Sequence, residues 1–203
     1  VLSPAPVHRH GGGMVEDCYS DPPGLHARLR RRLRAPFRLR HYWGPFASAR
    51  SSRWIARAAC EILAGIAPPP PDLCLVYLPA LDYDLQRHGP GHPRAARALR
   101  ALAGDLALLR TACRREGYEM VVFGDYAIET VEEPALFPNR VLRDAGLLRT
   151  RDVGRRRYLD PHGSRALAVV DHQVAHVYVR DAADVEKARA ALLAMPGTGE
   201  VLD

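Results

Sequence analysis

Two short apolar runs separated by one long amphipathic stretch constrain this chain more than any other feature. Leu73-Cys-Leu-Val-Tyr-Leu78 is apolar at every position, as a strand covered on both faces is. Residues 93–115 then place Ala95, Leu99, Leu102, Leu106, Leu109 and Cys113 on one helical stripe, with Gly117 as its stop. Met120-Val-Val-Phe123 follows as a second apolar run. Strand, long helix and strand make a βαβ unit, whose strands are parallel and whose crossover is right-handed. The fold class expected is therefore α/β, a mainly parallel sheet with flanking helices.

The rest of the chain is read around this unit. Residues 1–22 carry Pro, a Gly triplet and no periodicity, so they are expected as a tail or loop, with residues 23–203 forming part of one α/β domain. A short helix is expected from Pro23 to Leu33. A stronger one is capped by Ser51 or Ser52, with Trp54, Ile55, Ala58, Ala59, Ile62, Leu63 and Ile66 along one face, and ends at the Pro68–Pro71 run. A polar loop is expected after Leu78. Later come a helix at Asn139–Ala145 stopped by Gly146, a weak strand at Arg157–Leu159, a strong one at Ala166–Val179 broken by the polar DHQ, and a last helix at Ala183–Ala194.

Composition sets the remaining bounds. A hydrophobic fraction of 47% over 203 residues supports an ordinary globular core. No run approaches the roughly 18 apolar residues of a membrane span, and no secretory h-region opens the chain, so a cytoplasmic location is expected. The four cysteines stand far apart without a CxxC pair and read as reduced, structural thiols. The net charge of +6 invites a polyanion or nucleic-acid reading, but the positive charge is nearly all Arg spread over several segments, Lys187 being the only lysine. A solvated helix face accounts for the densest cluster, Arg28–Arg40.

Ligands of open α/β sheets bind at the carboxyl ends of the strands. Asp82 and Asp84 follow the first run and Asp125 the second, so two carboxylates on one edge either hold a divalent cation or cap turns. His172 and His176 lie four apart in a stretch read as one strand, hence on one face, either as ligands or as polar groups near a sheet edge. His88 and His92 flank a Gly-Pro-Gly loop. P-loop, dinucleotide and nucleophile-elbow motifs are absent from the sequence.

Residues 76–90, VYLPALDYDLQRHGP, resemble the segment of nucleotide pyrophosphatases and type I phosphodiesterases, within the alkaline phosphatase superfamily, in which a strand leads into D-x-x-G-H-x-x-G-P. Asp82 matches the metal-binding Asp and Gly89-Pro90 the closing pair, while Leu85 stands for Gly and Gln86 for the metal-binding His. Residues 121–128, VVFGDYAI, resemble V-V-x-S-D-H-G-M, with Asp125 at the metal-binding Asp, Gly124 in place of Ser and Tyr126 in place of His. YWGPFASARSSRWIA, PNRVLRDAGLL and VVDHQVAHVYV resemble a divergent bacterial branch of the same family, so the likeness runs from about Tyr19 to the end.

The resemblance implies an alkaline-phosphatase-like fold and hydrolysis of phosphate mono- or diesters, a phosphate-ester small molecule being the partner. It implies a divalent metal cofactor, zinc or manganese, held here by Asp82 and Asp125 with Gln86 and Tyr126 as nearby polar contacts. It also implies that the nucleophile and a further His ligand belong to segments outside this chain, so no residue is expected as nucleophile. The two histidine replacements keep open a pseudoenzyme that only binds a ligand.

Overall fold

The computed structural model describes residues 1–202 and divides into two compact units, Val1–Thr130 and Val131–Asp203. In the first unit the opening segment is not a loose tail. It forms two antiparallel ribbons, β1 (Leu2–Pro4) with β4 (Cys18–Ser20) and β2 (Val7–His8) with β3 (Met14–Val15), closed by the φ-positive turn at Gly12 and Gly13. Gly permits that turn without steric cost, which is why a stretch lacking periodicity still pairs with itself.

Helix α1 (Leu25–Leu33) buries Leu25, Leu29 and Leu33 at helical spacing and turns Arg30, Arg31 and Arg32 outward, while Arg28 is half-buried. It packs with α3 (Ala49–Leu63), where Trp54 and Ala58 complete the cluster, and the short α2 (Leu39–Tyr42) leads into α3. Ser48, not Ser51 or Ser52, is the N-cap of α3. Ser51 and Ser52 are instead buried on the inner face, where the Ser51 hydroxyl donates to the Ser48 carbonyl.

The segment after Leu78, expected as a loop, is α4 (Ala80–His88). Its alternating leucines and acids hide a helix that is held by tertiary contacts. Ala80 N–H donates to Ser52 Oγ at 3.0 Å, Tyr83 OH to the Tyr42 carbonyl at 2.8 Å and Arg87 Nη1 to the Ala47 carbonyl at 2.9 Å. α5 (Pro93–Glu116) begins with Pro at N1 and ends at Gly117 with φ 80°, as expected. Its buried face is Ala95, Ala98, Asp105, Leu109, Ala112 and Cys113, whereas Leu99 is 56% exposed. The face is set by small residues that let α5 approach α3, so the leucine stripe points partly away from it.

The expected parallel sheet is not formed among the described residues, where all strand pairs are antiparallel and two-stranded. Leu73–Leu78 and Met120–Phe123 carry no ladder. The first run keeps a strand's period of two: Cys74, Val76 and Leu78 pack against the α3 and α5 side, while Leu73, Leu75 and Tyr77 are exposed. Apolarity on both faces of the run is thus matched by only one covering layer.

In the second unit α6 (Pro138–Asp144) ends at Gly146, φ 75°. β5 (Arg149–Val153) pairs with β6 (Arg156–Asp160), and β7 (Ala166–Asp171) with β8 (Val174–Val179). A 3-10 turn at Ala182–Asp184 opens α7 (Val185–Leu193). Leu142 and Leu147, both fully buried, form the core with Leu148, Ala166, Ala168, Ala188 and Leu192. The Asn139 side chain donates to the Ala168 carbonyl and accepts from its N–H, both at 2.7 Å, standing in for a neighbouring strand at the edge of β7.

Candidate functional site

Asp82 lies in the first turn of α4, where the unpaired N–H groups of a helix favour a carboxylate. Gln86, one turn later on the same face, donates from Nε2 to both Asp82 oxygens at 3.0 Å. Tyr126, just past the second apolar run, donates its hydroxyl to Asp82 Oδ1 at 2.7 Å. The segments that follow the two runs are therefore joined at one carboxylate, by residues 44 apart in the chain.

Tyr126 is held strongly protonated. The hydrogen bond to Asp82 comes first, then burial, then the negative charges of Asp82 and Asp125, all raising its pKa. The phenol is a fixed donor, not a phenolate ligand. Tyr77 also rises above the usual phenol range, through burial and then the same two carboxylate charges. The charge of Asp125 thus bears on both phenols, and Asp82 is half-buried whereas Asp125 is exposed.

Tyr77 was missed as a member because it was read as part of a covered strand. Its position supplied a signal, since the alternation along Leu73–Leu78 puts it opposite the packed Val76 and Leu78. His88 and His92 stack with centroids 4.8 Å apart. Arg94 Nη1 lies 3.1 Å from His88 Nε2, and partial burial followed by the Arg94 charge lowers the His88 pKa. His92 Nδ1 caps α5 by accepting from Arg94 N–H at 3.1 Å.

His172 and His176 are not brought together on a strand face. His172 sits in the turn between β7 and β8 with φ 53°, its Nδ1 2.6 Å from Asp171 Oδ1. His176 is exposed on β8 opposite Val169. Within the polar DHQ, expected as a break in one strand, Asp171 ends β7 and His172-Gln173 form the hairpin turn, which reverses the chain before His176.

The Asp82 patch offers carboxylate, amide and phenol oxygen. Among the described residues no group of three or more His, Cys, Asp and Glu gathers as a metal centre. Gln86 Nε2 spans both Asp82 oxygens and the Tyr126 hydroxyl donates to one of them, so two donors already occupy the carboxylate, and Asp125 is open to solvent. Oxygen donors of this kind suit a hard cation far better than zinc.

A model of the family described as type I phosphodiesterase / nucleotide pyrophosphatase matches residues 7–202. The chain belongs to that family. No curated protein matches the chain, and no solved structure does. In this phosphodiesterase family the members act on phosphate-ester small molecules, and metal dependence is typical of it. Its span covers both units, the α4 carboxylate and the β7–β8 hairpin alike. Among the described residues no helix is long and apolar enough to cross a membrane.

Proposed function

We propose that this chain serves a metal-dependent hydrolase of phosphate mono- or diesters with an alkaline-phosphatase-like fold, in which Asp82 and Asp125 hold a hard divalent cation, manganese in preference to zinc. The observation that carries the reading is the 2.7 Å hydrogen bond from Tyr126 to Asp82, which gathers the two acid-bearing segments at one point. Bound there, the cation would supply charge neutralisation for a phosphoryl oxygen. Gln86 orients the Asp82 carboxylate by holding both its oxygens. Tyr126 keeps its proton, so it donates to oxygen and does not act as a base at neutral pH. His172 and His176 have no proposed role, and no nucleophile is assigned.

Hydrolysis of bis(p-nitrophenyl) phosphate tests the proposal. Turnover that requires added Mn²⁺ and drops at least about tenfold in Asp125→Asn supports it. Mn²⁺ binding without turnover would favour the ligand-binding reading, for which the two donors already on Asp82 speak. Equal turnover in EDTA would sink the metal assignment.

A further inference from the structure

A cleft of about 420 Å³ lies in the first unit between the loop before α2, the outer face of α3 and the middle of α5. Its wall is aromatic: Phe37 and Trp54 meet edge to face with centroids 5.2 Å apart, and Trp54 Nε1 is already satisfied by the Ala35 carbonyl at 3.0 Å. Four guanidinium groups line it. Arg50, Arg53 and Arg57 share one face of α3, spaced three and four apart, and Arg38 comes from the N-cap of α2.

One carboxylate answers them inside the cleft. Asp105, 1% exposed, lies at 2.7 Å from Arg53 Nε, and Arg53 Nη2 rests over Gly104, where an added Cβ would come within 3.3 Å. Arg53 is therefore anchored. Arg38 reaches Glu16 only at 3.9 Å, Arg57 touches the Leu33 carbonyl at 3.4 Å, and Arg50 has no acid partner among the described residues. Burial and then the charges of Arg40 and Arg50 lower the His41 pKa at the same edge, as a local excess of positive charge requires.

Like charges gathered beside an apolar wall repel one another unless an anion joins them. Guanidinium forks match phosphate oxygens in pairs, and their planar faces tolerate the neighbouring aromatic rings. We infer that this cleft is a binding site for an oligophosphate group, separate from the Asp82 patch and independent of metal. The group comes either as inorganic triphosphate or as the phosphates of a nucleotide, whose base has the Phe37 ring within reach.

Titration of Trp fluorescence with sodium triphosphate and with ATP, both in EDTA, tests this. Saturable binding of triphosphate is expected, weakened at least about tenfold in Arg50→Ala and in Arg57→Ala, each an exposed position whose loss leaves the melting curve in place. Arg100→Ala, on α5 outside the cleft, is expected to stay within about twofold. ATP binding tighter than triphosphate, with the gain removed by Phe37→Ala, marks the nucleotide as the source; equal affinities mark the phosphate group alone. Asp82→Asn and Asp125→Asn leave the titration unchanged, so this result and the metal assignment fail separately. Absence of saturation with both probes, or an Arg100→Ala loss equal to that of Arg50→Ala, overturns the site. Binding only of a single-stranded oligonucleotide does so too.

Discussion

Asp82 accepts hydrogen bonds from two side chains, Gln86 and Tyr126, and each stands where the resemblance expects a metal-binding imidazole. The replacement changes what the position can do, because an imidazole lends a lone pair to a cation whereas Gln86 Nε2 and the Tyr126 hydroxyl present hydrogens to the carboxylate. Tyr126→Phe removes one of them. Its expected effect is a several-fold gain in Mn²⁺ affinity with a stability loss of about 1 kcal/mol, read by calorimetry and by urea unfolding. Unchanged affinity would mean that Tyr126 does not compete for Asp82. Three residues singled out by the sequence, Asp82, Gln86 and Tyr126, are joined by hydrogen bonds; that the acid is already occupied was not legible, because hydrogen-bond direction depends on coordinates. The thiols follow their surroundings likewise: burial and then Asp17 push Cys18 up to about 11, so it is inert at neutral pH.

At the scale of elements, periodicity located α1, α3, α5 and α6 and the buried Ala95, Leu109 and Cys113 of α5, but it also placed the exposed Leu99 on the covered stripe. The α5 face against α3 combines Leu109 with the small Ala112 and the buried Asp105, and the share of a burial pattern made by small or polar residues is weak in any hydrophobicity count. Gly117, by contrast, was legible because a helix stop at φ 80° needs a residue without Cβ. Gly117→Ala is expected to cost about 1 kcal/mol, measured by thermal melting, and no loss would contradict the left-handed cap. In the second unit, Arg165 Nε donates to Asp184 Oδ2 at 2.7 Å and this pairing holds the buried Asp184 carboxyl below its usual range. A depressed acid adds stability above its unfolded value of about 4, and that stability is lost as pH falls through the lower folded value. Asp184→Asn should therefore flatten the acid side of the stability profile. Asp105 acts in the opposite sense: burial raises it despite Arg53, so its contribution weakens as pH rises from the unfolded value through the raised folded one.

At the scale of the whole molecule, the α/β content was legible and the parallel sheet was not realised. Leu73–Leu78 and Met120–Phe123 have the composition of strands covered on both faces, but Leu75 is 82% exposed and Val121 84%. Composition reports what a strand tolerates; it does not supply the neighbour that completes the ladder. The β7–β8 hairpin was hidden for a related reason, since its two-residue turn, His172-Gln173, lacks the Gly or Asn that usually marks a tight turn. Each unit nevertheless has its own core, and Leu142→Ala, at a fully buried site of the second unit, is expected to cost about 2–5 kcal/mol in urea unfolding. The acids that follow the two apolar runs, Asp82 and Asp125, are proposed to hold one hard cation. Calorimetric titration with Mn²⁺ and Zn²⁺ of the wild-type protein, Asp82→Asn and Asp125→Asn tests it most directly. The prediction is Mn²⁺ binding at least as tight as Zn²⁺ and weakened at least about tenfold in either variant; Mn²⁺ affinity unchanged in both variants would contradict it.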